Sequence, residues 1–216
     1  MEKSRPKIIL SAAMTLDGKI ASKTGDSKLS SKKDKIRIHK LRSKVDAILV
    51  GSNTVKRDDP LLTVRHTKGK NPIRIILDSK ANIDKKSRII KTSKKIPTII
   101  AVSKKASRKN ISKLEKYSIE IIVSGNKIVN IKNLLRILSK KKIKTVLVEG
   151  GGTVNWEFIK HGLVDEIIIT ITPYLVGGKN AVTLVDGEGF SLIQKSSKLK
   201  LKKTSLFGNE IVLHYS

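Results

Sequence analysis

The sequence predicts an α/β fold in which strands alternate with helices. Three observations carry this expectation. Short apolar runs recur at Ile8-Ile9-Leu10, Ala47–Val50, Ile73–Leu77, Pro97–Val102, Glu120–Val123, Thr145–Val148 and Glu166–Thr172. Stretches with apolar residues at helical spacing lie between some of them. Near the C-terminus, Leu199–Phe207 and Glu210–Tyr215 flank Gly208-Asn209, a dipeptide suited to a hairpin turn. The sheet is therefore expected to be mixed, with helices beside it and a closing antiparallel hairpin.

The elements follow in order. Pro6–Met14 carries Ile8-Ile9-Leu10, a short buried strand candidate, and Asp17-Gly18 reads as a turn at a strand end. Ser31 with Asp34 resembles a capping box that opens a helix from Lys32 to about Lys44. Ile38, Leu41 and Val45 form its inner face, and His39 its surface. Ala47–Val50 is the next strand. The stretch that follows, Gly51 to Arg65, combines glycine, small hydroxyls, two acids and an arginine at a strand end. Ligands of open α/β sheets settle at such ends, so this loop is the first site candidate. Pro60 is expected to hold Asp59 extended. Asn130 can cap a helix whose face is Ile131, Leu134, Leu135 and Leu138. Thr145–Val148 runs straight into Glu149-Gly150-Gly151-Gly152-Thr153, and a helix is expected from Val154 to Lys160. Glycines at a helix start allow close approach and leave N–H groups for an anion; a tight turn would also use them. Glu166–Thr172 is apolar on both faces, as a doubly covered strand should be. Gly177-Gly178-Lys179-Asn180 lacks the spacing of a phosphate-binding loop and reads as an ordinary loop.

Composition narrows the function. The 216 residues suffice for one domain, expected over 1–216. There are no cysteines, which excludes disulfides and thiolate chemistry. No apolar run is long enough to span a membrane. Met1–Lys7 leads into an apolar run that soon meets Asp17 and Lys19, which does not make a signal peptide. A cytoplasmic protein is the simplest expectation. The net charge is +28. It fits either nucleic-acid binding by counterion release or a surface that attracts anionic ligands. The lysines are spread between core segments and aromatics are 3%, which favours the second and argues against specific nucleic-acid binding. His39, His66, His161 and His214 show no metal-ligand spacing, so no metal is expected.

These pieces, in order, resemble the reductase of riboflavin biosynthesis, the family that includes the C-terminal half of the bacterial bifunctional deaminase–reductase. The resemblance runs through Ser11-Ala12-Ala13-Met14-Thr15-Leu16-Asp17-Gly18-Lys19-Ile20-Ala21, Gly25-Asp26-Ser27 and His39-Lys40-Leu41-Arg42. It continues through Asp46–Gly51, Thr54-Val55, Asp58-Asp59-Pro60-Leu61-Leu62-Thr63-Val64-Arg65 and Leu77-Asp78-Ser79. Glu149-Gly150-Gly151, Gly162–Glu166 and Pro173–Gly178 complete it. Bacterial relatives often carry Trp at the place of Leu29, and its absence points to the archaeal-like, stand-alone branch.

The resemblance implies a dihydrofolate-reductase-like fold, with a mostly parallel sheet, and a homodimer. It implies reduction of a phosphorylated ribosylamino-pyrimidine to its ribitylamino form by NADPH, with NADH possible and hydride transfer to C1′. By motif, Ala13, Thr54, Asp58, the turn Ser79-Lys80-Ala81-Asn82, Val129 and the cradle Gly151-Gly152-Thr153-Val154 are implied cofactor contacts. Ser27, Arg42, Leu62, Arg65 and Glu149 are implied substrate contacts, with both arginines suited to the 5′-phosphate. Glu149 and Asp17 are the candidate proton donors, beside water. Another reductase of this fold, such as one acting on a pterin, is the nearest alternative. A basic nucleic-acid-binding protein is the alternative from another class.

Overall fold

The computed structural model describes residues 5–216; Met1–Ser4, part of the segment weighed as a signal peptide, lie outside the described residues. The strands are β1 (Lys7–Thr15), β2 (Lys19–Ala21), β3 (Ala47–Gly51), β4 (Ile73–Leu77), β5 (Thr98–Val102), β6 (Glu120–Val123), β7 (Thr145–Val148), β8 (Glu166–Thr172), β9 (Val182–Thr183), β10 (Leu201–Phe207) and β11 (Glu210–Tyr215). The α-helices are α1 (Lys32–Arg42), α2 (Ser52–Asp58), α3 (Arg88–Lys91), α4 (Arg108–Leu114), α5 (Ile131–Lys140) and α6 (Gly152–Lys160). The residues divide into two compact units that interleave in sequence. The first holds the chain up to Lys7 and Lys40–Leu147; the second holds Ile8–His39 and Val148–Ser216.

The first unit is a parallel α/β layer. Its strands follow the order β7-β3-β4-β5-β6. β3 pairs with β4, β4 with β5 and β5 with β6, all parallel. Residues Ala47–Gly51 and Thr98–Val102 are buried throughout, as expected of strands covered on both faces. α5 is the clearest amphipathic helix. Asn130 Oδ1 accepts the N–H of Asn133 at 2.8 Å, and Ile131, Leu134, Leu135 and Leu138 are its buried residues, as the spacing predicts.

Arg74 is the second residue of β4 and has no exposed surface. Its guanidinium donates to Thr98 Oγ1, Thr92 Oγ1 and the carbonyls of Ile89, Ile96 and Leu61. Burial pulls its pKa down to about 10, so it stays protonated at neutral pH.

The second unit holds the mixed part, in the order β10-β11-β8-β1. β1 pairs parallel with β8, and β11 pairs antiparallel with both β8 and β10. Gly208 (φ +66°) turns the hairpin as Gly208-Asn209 predicts. β2 and β9 form a separate two-stranded ribbon.

α1 corrects three expectations. The Asp34 N–H donates to Ser31 Oγ at 3.2 Å, so the cap forms. The return bond of a capping box does not. Asp34 instead accepts from Arg37 Nε (2.7 Å) and Thr170 Oγ1 (2.7 Å), while Glu210 accepts the Ser31 N–H at 2.7 Å. His39, expected on the surface, is 3% exposed, and α1 ends at Arg42 rather than about Lys44. Period alone did not show that Asp34 and His39 are buried, because both side chains are polar.

Candidate active site

In the first unit, the stretch after β3 is not the loop the sequence suggests. Ser52–Asp58 is helical, so Thr54 and Asp58 stand one turn apart on one face, both half-buried. Arg57 Nε donates to Asp58 Oδ1 at 3.0 Å. Asp59 is not extended. It lies in the left-handed region (φ 37°, ψ 57°) as the C-cap of α2, with its N–H on the Val55 carbonyl. Pro60 excludes the right-handed helix at Asp59, and a short acid tolerates the left-handed alternative. Its carboxylate and carbonyl accept from Arg88 N–H (2.7 Å) and Nε (2.6 Å).

Leu62 follows, also at positive φ (52°) and 2% exposed. A leucine held there costs roughly 1–2 kcal/mol, so the surrounding bonds must over-determine it. Arg74 Nη1 reaches the Leu61 carbonyl at 3.4 Å. Arg42 Nη1 donates to the Thr63 carbonyl at 3.1 Å, and Arg65 Nη1 to Thr63 Oγ1 at 2.7 Å. Asn71 Oδ1 accepts the Val64 N–H at 2.8 Å. The two arginines assigned to a phosphate thus converge on one threonine, although they come from α1 and from the segment after Leu62.

The end of β4 forms a second cluster. Asp78 is buried and turns the chain: its carbonyl accepts the Ala81 N–H, and Oδ2 accepts the Ile83 N–H at 2.7 Å. Ala81 takes positive φ (56°) in this turn. Ser79 Oγ accepts the Val129 N–H at 3.1 Å, which joins two residues implied separately as cofactor contacts. Ser103 Oγ donates to the Ser79 carbonyl at 2.8 Å. Asn110 Nδ2 donates to the Lys80 carbonyl (3.1 Å) and Asn82 Oδ1 (2.6 Å). Ser103 and Asn110 carry no signal in the sequence, because side-chain hydrogen bonds to a distant turn leave no period.

In the second unit, Ala13 is half-buried on β1 opposite Thr170. Ser27 is exposed, and its carbonyl accepts the Leu29 N–H. Asp17, one of the two candidate proton donors, is held by hydrogen bonds. Its carboxylate accepts from Thr15 Oγ1 (2.6 Å), Gly177 N–H (2.7 Å) and Val176 N–H (3.1 Å). These bonds, Thr15 first, lower its pKa to about 2, so at neutral pH it is a carboxylate that anchors the Val176–Gly177 loop. Glu149 follows β7 directly and is half-buried.

Next comes the glycine turn. Gly150 has φ +78°, and the Gly150–Gly151 peptide is cis. α6 starts at Gly152, two residues earlier than the sequence suggests, and its N-cap Gly151 supplies no side-chain cap. Thr153 is exposed and Val154 half-buried. Gly152 is required by the protein's own packing: a Cβ there would lie 2.5 Å from the Thr183 carbonyl oxygen and closer still to Asp186 Oδ2. Asn155, 1% exposed, donates from Nδ2 to the Leu184 carbonyl at 2.8 Å, and its buried Oδ1 has no hydrogen-bond partner. Gly187 packs on Trp156, which meets Phe190 edge to face at 5.0 Å. A strap of residues 183–190 is therefore seated on the first turns of α6.

The second unit also has a half-open cavity of about 550 Å³, lined by Leu10, Met14, Trp156, Leu184, Phe190 and Tyr215 among others. None of the implied site residues lines it. Among the described residues, no helix is long and apolar enough to cross a membrane.

Comparison with known proteins bears on these motifs. The RibD C-terminal domain family matches residues 6–213, and so spans both units. The 2,5-diamino-6-ribosylamino-4(3H)-pyrimidinone 5′-phosphate reductase of Methanothermobacter thermautotrophicus is 41% identical over 215 residues, covering 98% of each chain. The protein of the same name from Aquifex aeolicus is 39% identical over 216 residues, covering 98% of this chain and 96% of its own. Among solved structures, a diaminohydroxyphosphoribosylaminopyrimidine deaminase/5-amino-6-(5-phosphoribosylamino)uracil reductase from Thermotoga maritima superposes with a TM-score of 0.81 at 30% identity. That match covers 99% of this chain and 57% of the other. With the parallel layer, the closing hairpin and the strand-end motifs in place, the chain belongs to the RibD C-terminal domain family of riboflavin-biosynthesis reductases, with the dihydrofolate-reductase-like fold.

Proposed function

We propose that this protein reduces the ribosyl side chain of 2,5-diamino-6-ribosylamino-4(3H)-pyrimidinone 5′-phosphate to the ribitylamino form, in the cytoplasm, with NADPH. The observation that carries the reading is the meeting of Arg42 and Arg65 on Thr63, beside the left-handed Leu62. Two guanidinium groups held on one backbone segment suit a phosphate, whose oxygens accept paired N–H donors. The net charge of +28 draws anionic substrate and cofactor alike.

The residues present fit a nicotinamide cofactor. α6 opens without a side-chain cap, so its first N–H groups suit a pyrophosphate. Asn155 Oδ1 is a buried acceptor of the kind that an amide or water donor satisfies. Ala13, Thr54 and Asp58 would flank the cofactor, and Gly151, Gly152, Thr153 and Val154 would hold its pyrophosphate. Ser79, Lys80, Ala81, Asn82 and Val129 would face the adenosine side. Lys80, exposed on its turn, would meet the 2′-phosphate and favour NADPH over NADH. When bound, the nicotinamide supplies the hydride that C1′ receives.

The chain's own residues orient and shield. Arg42 and Arg65 hold the phosphate, and Leu62 and Ser27 are further substrate contacts. Glu149 bonds the pyrimidine or a ribose hydroxyl and is the side chain best suited to hold the proton that the opened sugar takes up.

The protein acts as a homodimer. Leu192, Ile193, Leu199, Leu201 and Leu206 in the second unit are exposed, with Ile193 90% exposed, and β10 ends the strand order there. Apolar exposure beside an edge strand favours a second copy.

The direct test is oxidation of NADPH by the purified protein with the diamino substrate, followed by reduced-nicotinamide absorbance. Substrate-dependent oxidation, and quenching of Trp156 fluorescence by NADPH, are expected. No oxidation with this substrate, or salt-steep DNA binding without any NADPH effect, would reject the reading.

A further inference from the structure

We infer that Arg74 is a positioning residue for the substrate phosphate, acting through the backbone of Leu61–Thr63; this rests on the function proposed above. Arg74 lies inside β4, paired in register with Ile48 and Thr98, and has no exposed surface. Its guanidinium makes six hydrogen bonds, to Thr98 Oγ1 (3.0 and 2.7 Å), Thr92 Oγ1 (2.7 Å), Ile89 O (2.9 Å), Ile96 O (3.3 Å) and Leu61 O (3.4 Å). Every acceptor is neutral. A cation buried without a carboxylate is a poor stabilising device, because an apolar side chain would fill the same space without the desolvation cost. Its use lies in what the fork joins.

Three segments meet on this one group. They are β5 and its entry through Thr98 and Ile96, α3 and its C-cap through Ile89 and Thr92, and the segment after α2 through Leu61. Asp59 ties that same segment to the start of α3 through Arg88. Leu61 O lies immediately before the left-handed Leu62, and Thr63 O lies immediately after it. Arg74 holds the first carbonyl and Arg42 the second. Thr63 then receives Arg65 on its hydroxyl. Guanidinium groups therefore brace both sides of a strained leucine, and the braced backbone spaces the two arginines that take the phosphate. The charge of Arg74, unpaired with any carboxylate among the described residues, adds to the positive potential of the same unit.

The experiment compares Arg74→Lys and Thr98→Val with wild type. Lysine keeps the charge but cannot reproduce the fork. Valine removes the hydroxyl that anchors Nε and Nη2 while Arg74 stays. KM for the phosphorylated substrate should rise about tenfold or more with Arg74→Lys, because small misplacements of a binding group are costly. It should rise less with Thr98→Val. kcat should hold within about threefold, and the Kd for NADPH, read from Trp156 fluorescence, within about twofold. Affinity for the riboside that lacks the phosphate should not change. In an Arg65→Ala background, Arg74→Lys should add less than about twofold, since both substitutions remove one interaction. Equal loss for the riboside, full additivity with Arg65→Ala, or an unchanged KM in folded Arg74→Lys and Thr98→Val proteins would overturn the inference. A wild-type protein without activity on this substrate removes the function it rests on, and the inference with it.

Discussion

The turns Ser79–Asn82 and Gly151–Val154 are both proposed to meet the cofactor, yet they are held in opposite ways. The first is held by polar side chains from elsewhere in its unit. Ser103 and Asn110 bond its backbone carbonyls, Asn110 also bonds Asn82, and Val129 donates to Ser79. The second is held by close packing of glycines. Gly152 lies against Thr183 and Asp186, and Gly187 against Trp156. A turn held by hydrogen bonds weakens by steps as single bonds are removed, each worth about 0.5–1.5 kcal/mol. A turn held by the absence of a side chain tolerates no added atom, because packed interiors do not deform continuously.

Gly152→Ala should therefore have the largest effect. Its Cβ meets backbone at Thr183, which cannot rotate away, so destabilisation of about 1–3 kcal/mol is expected together with loss of NADPH binding. Thermal melts with and without NADPH check both. An alanine variant as stable as wild type would mean that the strap lifts freely, and the contrast would fail. Glu149→Gln, one step before the same turn, should lower kcat by about 100-fold while leaving NADPH affinity nearly unchanged. Parallel loss of cofactor affinity would move Glu149 to the cofactor side.

Asn110→Ala should do the reverse. It should raise the Kd for NADPH by about 3–10-fold, the equivalent of one or two hydrogen bonds, with kcat preserved. Fluorescence titration and steady-state rates on one preparation separate the two. Asp17→Asn should have the smallest effect and sharpen the contrast with a third kind of anchor. The Asp17 pKa is lowered by its bonds to Thr15, Gly177 and Val176, so its stabilisation is complete above the ordinary value of 3.8 and is lost as pH falls through about 2. The melting-temperature gap between wild type and Asp17→Asn should close as pH is lowered through that window. A gap that persists at the acid end would mean that the charge is not what holds the Val176–Gly177 loop.

The legible and illegible parts of the site follow the same physics. α5 could be read because Ile131, Leu134, Leu135 and Leu138 repeat at the helical period behind a capping Asn130. β3, β5 and β8 could be read because doubly covered strands are continuous apolar runs. α2 was missed because Ser52–Asp58 buries only Val55 and has no apolar face to count. α3 and α4 are short, and no expectation covered them. His39 was misplaced because a buried polar residue gives no period. Arg74 did leave a trace, as a lone charge inside Ile73–Leu77, but its five acceptors come from segments that only folding brings together.

By itself the sequence determined the alternation of strands and helices, the closing hairpin, and the order of motifs that places the chain in its family. These depend on local spacing and on residue types, which survive in one dimension. Only the tertiary structure decided what holds each motif. It showed Asp17 committed to a loop, Asp59 left-handed, Arg42 and Arg65 sharing Thr63, and Gly152 serving the strap on α6. Hydrogen-bond partners and close contacts are properties of residues far apart in the chain, so no local pattern records them.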